Sequence, residues 1–110
     1  MYLEYLSKDK IEVKMKIRNL PIVYSSVSNY IRTQVKEQYV FEQNGICNVC
    51  KCSLYDRPDV SITKKNINWK LFPKTFLKTP IHLQRNHTTD MTIGAVHAYC
   101  NAVMWQYHCK

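Results

Sequence analysis

Apolar and polar residues alternate strictly over 11–18, with Ile11, Val13, Met15 and Ile17 on one side and Glu12, Lys14, Lys16 and Arg18 on the other. A period of two over eight residues predicts a half-buried strand. Pro21 ends the run, and the spacing then changes: Val27, Tyr30, Ile31 and Val35 recur at helical intervals. This predicts a helix over about 26–43, with Ser25 or Ser26 as N-cap and Gly45 as its stop. Between Cys52 and Pro80 no period holds, and Pro58, Pro73 and Pro80 divide the chain into short pieces. Residues 81–84 read as a short strand, 88–92 as a turn and 95–107 as a second helix. With no repeat, no low-complexity tract and only two glycines, the expectation is one α+β domain over 1–110, made of an N-terminal strand and helix (1–45) and a second part (46–110).

Length and charge narrow the class. A chain of 110 residues has a modest core, which a structural metal would reinforce. Sixteen Lys and Arg against eight Asp and Glu leave a net charge of +8, suited to a polyanion such as nucleic acid or to an anionic membrane surface. The first ten residues lack the apolar core of a secretory signal, and no apolar run approaches the ~18 residues of a membrane span. Five cysteines cannot all pair within one chain. The expectation is an intracellular protein of a reducing compartment, cytoplasmic or nuclear, neither secreted nor membrane-bound.

The cysteines carry the sharpest chemistry. Cys47-x-x-Cys50 and His97-x-x-Cys100 are two short ligand pairs, and zinc takes four soft or borderline ligands of this kind in a tetrahedron. Cys47, Cys50, His97 and Cys100 are therefore the expected ligands of a structural Zn2+, against the alternative of ordinary buried cysteines. Cys52 and Cys109 are spare thiols.

Three segments, 41–50 (Phe-Glu-Gln-Asn-Gly-Ile-Cys-Asn-Val-Cys), 81–87 (Ile-His-Leu-Gln-Arg-Asn-His) and 94–101 (Gly-Ala-Val-His-Ala-Tyr-Cys-Asn), resemble the recombination endonuclease VII branch of the HNH nucleases, also called ββα-metal or His-Me finger. The resemblance covers about residues 38–105. It implies a zinc-stapled ββα-metal domain, with Cys47, Cys50, His97 and Cys100 as the zinc tetrad and 53–80 as a basic insert. It also implies a Mg2+ or Mn2+ site in which Asn101 keeps the family's asparagine and His87 its later histidine. Gln84 and Arg85 replace the family's Asp-His. Glutamine offers a hard cation only a neutral oxygen, and an arginine is not deprotonated in proteins. His87 and Asn101, with His82 as a substitute base, are the candidate catalytic residues. Asp90 stands where the family's turn glycine is usual. Family enzymes that engage two-fold junctions make a homodimer the form to test.

The insert is uniformly basic. From Lys64 to Arg85 the charged residues are Lys64, Lys65, Lys70, Lys74, Lys78 and Arg85, interleaved with Trp69, Phe72 and Phe76. Cations for phosphates and rings for bases are the mix of a nucleic-acid surface, and a solvated face over core aromatics is the plainer alternative. Three functions follow: a DNA-binding zinc protein derived from such nucleases with weakened or lost catalysis; an active metal-dependent endonuclease cutting branched or duplex DNA; or a zinc-bound protein-interaction module.

Overall fold

The computed structural model of the chain describes residues 17–108. The strand predicted over 11–18 lies outside that range except for Ile17 and Arg18, as do Lys14, Lys16 and Cys109. Helix α1 runs Asn29–Glu42 and is capped by Ser28, whose hydroxyl accepts from the Ile31 N–H at 3.3 Å. Its start is later than predicted: Ser25 and Ser26 belong to a preceding 3-10 turn, Tyr24–Ser26, whose position is fixed by contacts to the hairpin. Asn44 and Gly45 both take left-handed φ, 56° and 72°, which ends α1 and turns the chain into the first ligand pair.

A two-stranded antiparallel sheet follows the insert. Strand β1 is Ile81–Arg85 and β2 is Thr92–His97, in register from Ile81 opposite His97 to Gln84 opposite Gly94. A bulge then leaves Ile93 unpaired, so that Arg85 faces Thr92. The predicted turn begins earlier, because Asn86 Oδ1 accepts from the N–H groups of Thr88 (2.8 Å) and Thr89 (3.0 Å), and Thr92 belongs to β2. Asp90 closes the turn with φ 62°, a conformation Asp tolerates better than most side chains.

The last predicted helix is shorter than expected. Ala95, Val96 and His97 are in β2, and helix α3 occupies only Ala98–Val103 before a π-helical turn, Met104–His108. Helical propensity at Ala95 is overridden because it lies opposite Leu83 in the sheet while its N–H donates to Gln43 and its C=O accepts from Gln43 and Asn48. Strand, strand and helix thus follow one another directly.

The core lies between α1 and this unit. Val35, Tyr39 and Val40 from α1 pack with Ala95, Val96, Leu54, Cys47 and Cys100, each fully buried aliphatic side chain contributing about 1.5–3 kcal/mol. Buried Gln38 extends the polar wiring: its amide accepts from the Arg18 N–H at 3.0 Å and donates to the Arg18 C=O at 2.8 Å. The insert is irregular, as the prolines require, with a four-residue helix α2 (Val60–Thr63) capped by Asp59. It is held to the rest by rings: Trp69 meets Tyr99 edge-on at 5.3 Å, Phe72 lies 4.6 Å from Phe76, and Phe76 meets His82 at 4.5 Å. No helix among the described residues is long and apolar enough to cross a membrane.

Candidate metal centre and the adjoining cleft

Four ligand atoms converge where β2 becomes α3. The thiols of Cys47, Cys50 and Cys100 and the His97 ring lie within 4.8 Å of one another, close enough to hold a metal ion. Cys47 and Cys100 have no exposed surface and His97 has 4 %. The first pair sits on a tight knuckle. The Cys47 N–H donates to the Cys52 C=O (2.8 Å), Lys51 takes φ 65°, and Ile46 bridges Ser53.

The His97 ring is set for ligation by its outer nitrogen. Nε2 sits 2.8 Å from the Ser53 C=O and 3.0 Å from the Asp56 C=O. Both partners only accept, so Nε2 carries the proton and Nδ1 presents its lone pair, 3.4 Å from Cys50 Sγ and 3.6 Å from Cys100 Sγ. A carbonyl that fixes the tautomer of a ligating histidine is the usual outer support of such a site. The thiols show the same preparation: Cys47 is held well below the ordinary thiol range, first by the Cys100 thiol and then by backbone N–H groups of Cys50, His97 and Val49. Cys100 is pushed up, because it shares a proton with Cys47 and is buried. Both ionise together only if a cation lies between them. Three thiols and one imidazole, oriented and mostly buried, are a set compatible with zinc.

Gln43, Asn48 and Gly94 position this centre, and their role was not read from the sequence. The Gln43 amide accepts from the Ala95 N–H at 2.8 Å and donates to the Ala95 C=O at 2.9 Å and the Ile46 C=O at 2.7 Å. The Asn48 N–H also donates to the Ala95 C=O. One side chain thereby ties the knuckle to the strand that carries His97. A Cβ at Gly94 would stand 2.7 Å from Gln43 Oε1 and 3.1 Å from Asn48 Nδ2, so the absence of a side chain there is what lets the two parts close.

The candidate catalytic residues lie on the other side of the β1–β2–α3 unit. Asn101 Nδ2 donates to His82 Nδ1 at 3.1 Å, and His82 Nε2–H donates to the Phe76 C=O at 2.8 Å. Both His82 nitrogens are therefore engaged, and burial holds its pKa below the ordinary histidine value. His87 is exposed, edge-on to Trp105 at 4.5 Å, and burial followed by the Arg85 charge lowers its pKa. His87 and Asn101 line one cavity of about 240 Å³ with Gln84, Arg85 and Trp105. The Gln84 side chain is 7 % exposed, and its Oε1 has no hydrogen-bond partner among the described residues.

Asp90 is committed elsewhere. Its carboxylate accepts from Ser25 N–H and Oγ–H and from Arg85 Nη1 at 2.6 Å, and the Ser25 bonds, followed by Arg85, draw its pKa down to about 2. The Arg85 guanidinium also lies over the Tyr24 ring, 4.6 Å from its centroid. Arg85 borders the cleft as a partly balanced cation. The predicted basic residues Lys64, Lys65, Lys70, Lys74 and Lys78 are all exposed on the insert, but none of them lines the cavities around Asn101. Trp69 is 39 % exposed and packs on Tyr99. Cations that do line the cleft, Arg32 and Lys36 of α1, were missed because the helix was read only for its apolar face.

Protein-family models, curated proteins and solved structures offer no match to the chain.

Proposed function

We propose that this chain is a zinc-held DNA-binding domain derived from HNH nucleases of the endonuclease VII branch, with its hydrolytic chemistry weakened or lost. The observation that carries this reading is the cleft beside Asn101: Arg32, Lys36 and Arg85 border it, and among the described residues no carboxylate does. A zinc ion bound by Cys47, Cys50, His97 and Cys100 would be structural, joining the knuckle to the start of α3. It closes its own coordination shell with protein ligands and leaves no position for substrate.

The residues around Asn101 do not suit a catalytic Mg2+ or Mn2+. Among the described residues lining the cavity there, the side-chain oxygens are neutral, those of Gln84, Asn86, Thr88 and Asn101, whereas such hard cations are held through at least one carboxylate. Arg85, in the place of the family's base, offers a fixed cation to a phosphate instead. His82 has no free nitrogen for a proton from water.

Phosphodiester hydrolysis is the second reading, favoured by one observation. His87 is exposed and its lowered pKa keeps it neutral near pH 7, as a general base must be, and it shares a cavity with the unpartnered Gln84 oxygen. The test is incubation of supercoiled plasmid and a four-way junction with Mg2+ or Mn2+, comparing the unmodified chain with His87→Ala and Asn101→Ala. The expected result is salt-sensitive binding without cutting. Metal-dependent cutting abolished by both substitutions would establish the nuclease, and a folded protein that binds no DNA at low salt would favour a protein-interaction module.

A further inference from the structure

The cleft is not one hollow but three that adjoin. Tyr24, Phe76, Leu83 and Asn101 are common to the two larger ones, each of about 360 Å³, and Arg85, His87, Asn101 and Trp105 are common to one of these and the 240 Å³ cavity. The two larger hollows differ in chemistry. On the α1 side stand Arg32 and Lys36, one helical turn apart. Each is fixed by neutral acceptors: Arg32 Nε–H donates to the Tyr24 C=O at 2.9 Å and Lys36 Nζ to the Ile81 C=O at 3.2 Å. Among the described residues neither has a carboxylate partner. The adjoining hollow is lined by rings, Phe72, Phe76 and Trp105, together with Arg85. Trp105 borders open volume in two cavities and keeps 46 % of its surface exposed.

We infer that this cleft binds a single strand of DNA in preference to a duplex, with phosphates along Arg32 and Lys36 and an unpaired base against Trp105. The inference rests on the DNA-binding reading and narrows its substrate. Bases in a duplex are stacked on one another and show only their edges, so the exposed Trp105 ring has nothing to stack on. An unpaired base offers its face, and such stacking tolerates any sequence. The cations that border the cleft, Arg32, Lys36 and Arg85, are few, a set suited to the phosphates of one backbone. Trp105 is carried on the π-helical turn Met104–His108, a widened geometry found often at functional positions.

The test is fluorescence anisotropy of the full chain with a labelled oligothymidine and with a duplex of equal length, in low and moderate salt. The expected result is at least about tenfold tighter binding of the single strand, reduced by Trp105→Ala about tenfold and kept within about threefold by Trp105→Phe, the range set by one lost stack. Arg32→Gln with Lys36→Gln should lower the magnitude of the log–log salt slope on the single strand by about 1.4 units. Melting curves that match the unmodified chain confirm that the variants are folded. Duplex bound as tightly as the single strand, or Trp105→Ala binding unchanged, overturns the preference while leaving DNA binding in place. Failure to bind either DNA overturns both.

Discussion

The two sides of the β1–β2–α3 unit are wired for different ends. On the knuckle side, four ligand atoms point at one another while their outer partners, the Ser53 and Asp56 carbonyls and backbone N–H groups, hold them from behind. On the cleft side the polar residues satisfy each other: His82 is taken by Phe76 and Asn101, and Arg85 and Ser25 by Asp90. Among the described residues, Gln84 Oε1 is the buried side-chain polar atom left over. The first arrangement gathers donors that repel one another and gain from a central cation. In the second, pairing is already internal, so the strand and turn are held with no ion required. The contrast teaches that metal dependence should be concentrated on one side.

The largest break in that contrast is removal of the metal. Structural zinc binding is worth about 10–16 kcal/mol, comparable to or larger than the stability of a typical domain, so chelation or Cys100→Ser should abolish the cooperative melt. Circular dichroism in the near ultraviolet, before and after chelator, checks it. A smaller break is Gln43→Ala, which removes the tie between knuckle and strand. Leaving buried backbone groups of Ala95 short of partners should cost about 2–3 kcal/mol in chemical denaturation. Gly94→Ala should cost about 1–3 kcal/mol by crowding, and less in the Gln43→Ala background, because the contacted atom is then gone.

Cleft-side changes should be milder. Asn101→Ala removes one hydrogen bond to His82 and should lower stability by about 1 kcal/mol, with metal content unchanged. His82 sharpens the comparison through pH. Its folded pKa lies below the unfolded value of about 6.5, so below that pH the unfolded chain takes up a proton that the folded chain resists. Its stability contribution is complete above about pH 6.5 and declines as the pH falls through the folded pKa. His82→Gln should flatten that dependence in melting curves recorded with the metal saturating.

Much of the knuckle side was legible from the sequence, because ligand spacing is local: Cys47 and Cys50 meet across one turn, and His97 and Cys100 across the first turn of a helix. The 81–84 strand and the body of α1 were legible for the same reason, through short-range periodicity. What escaped depends on distant partners. Ala95 and Val96 read as helical until β1 is laid beside them. Ser28 rather than Ser25 caps α1, because Ser25 is drawn to Asp90, 65 residues away. Gln43 reads from sequence only as part of the 41–50 motif, and its contact to Ala95 spans 52 residues. In the insert, charge alone favoured its lysines, whereas the cleft is bordered by the insert's rings and by the cations of α1.

The central claim is that Cys47, Cys50, His97 and Cys100 close around one structural zinc. Elemental analysis of the chain purified without chelator tests it most directly. One zinc per chain, lost in Cys47→Ser and Cys100→Ser but kept in Asn101→Ala, is the predicted result. Well under one metal per chain in a folded, unmodified protein would contradict it.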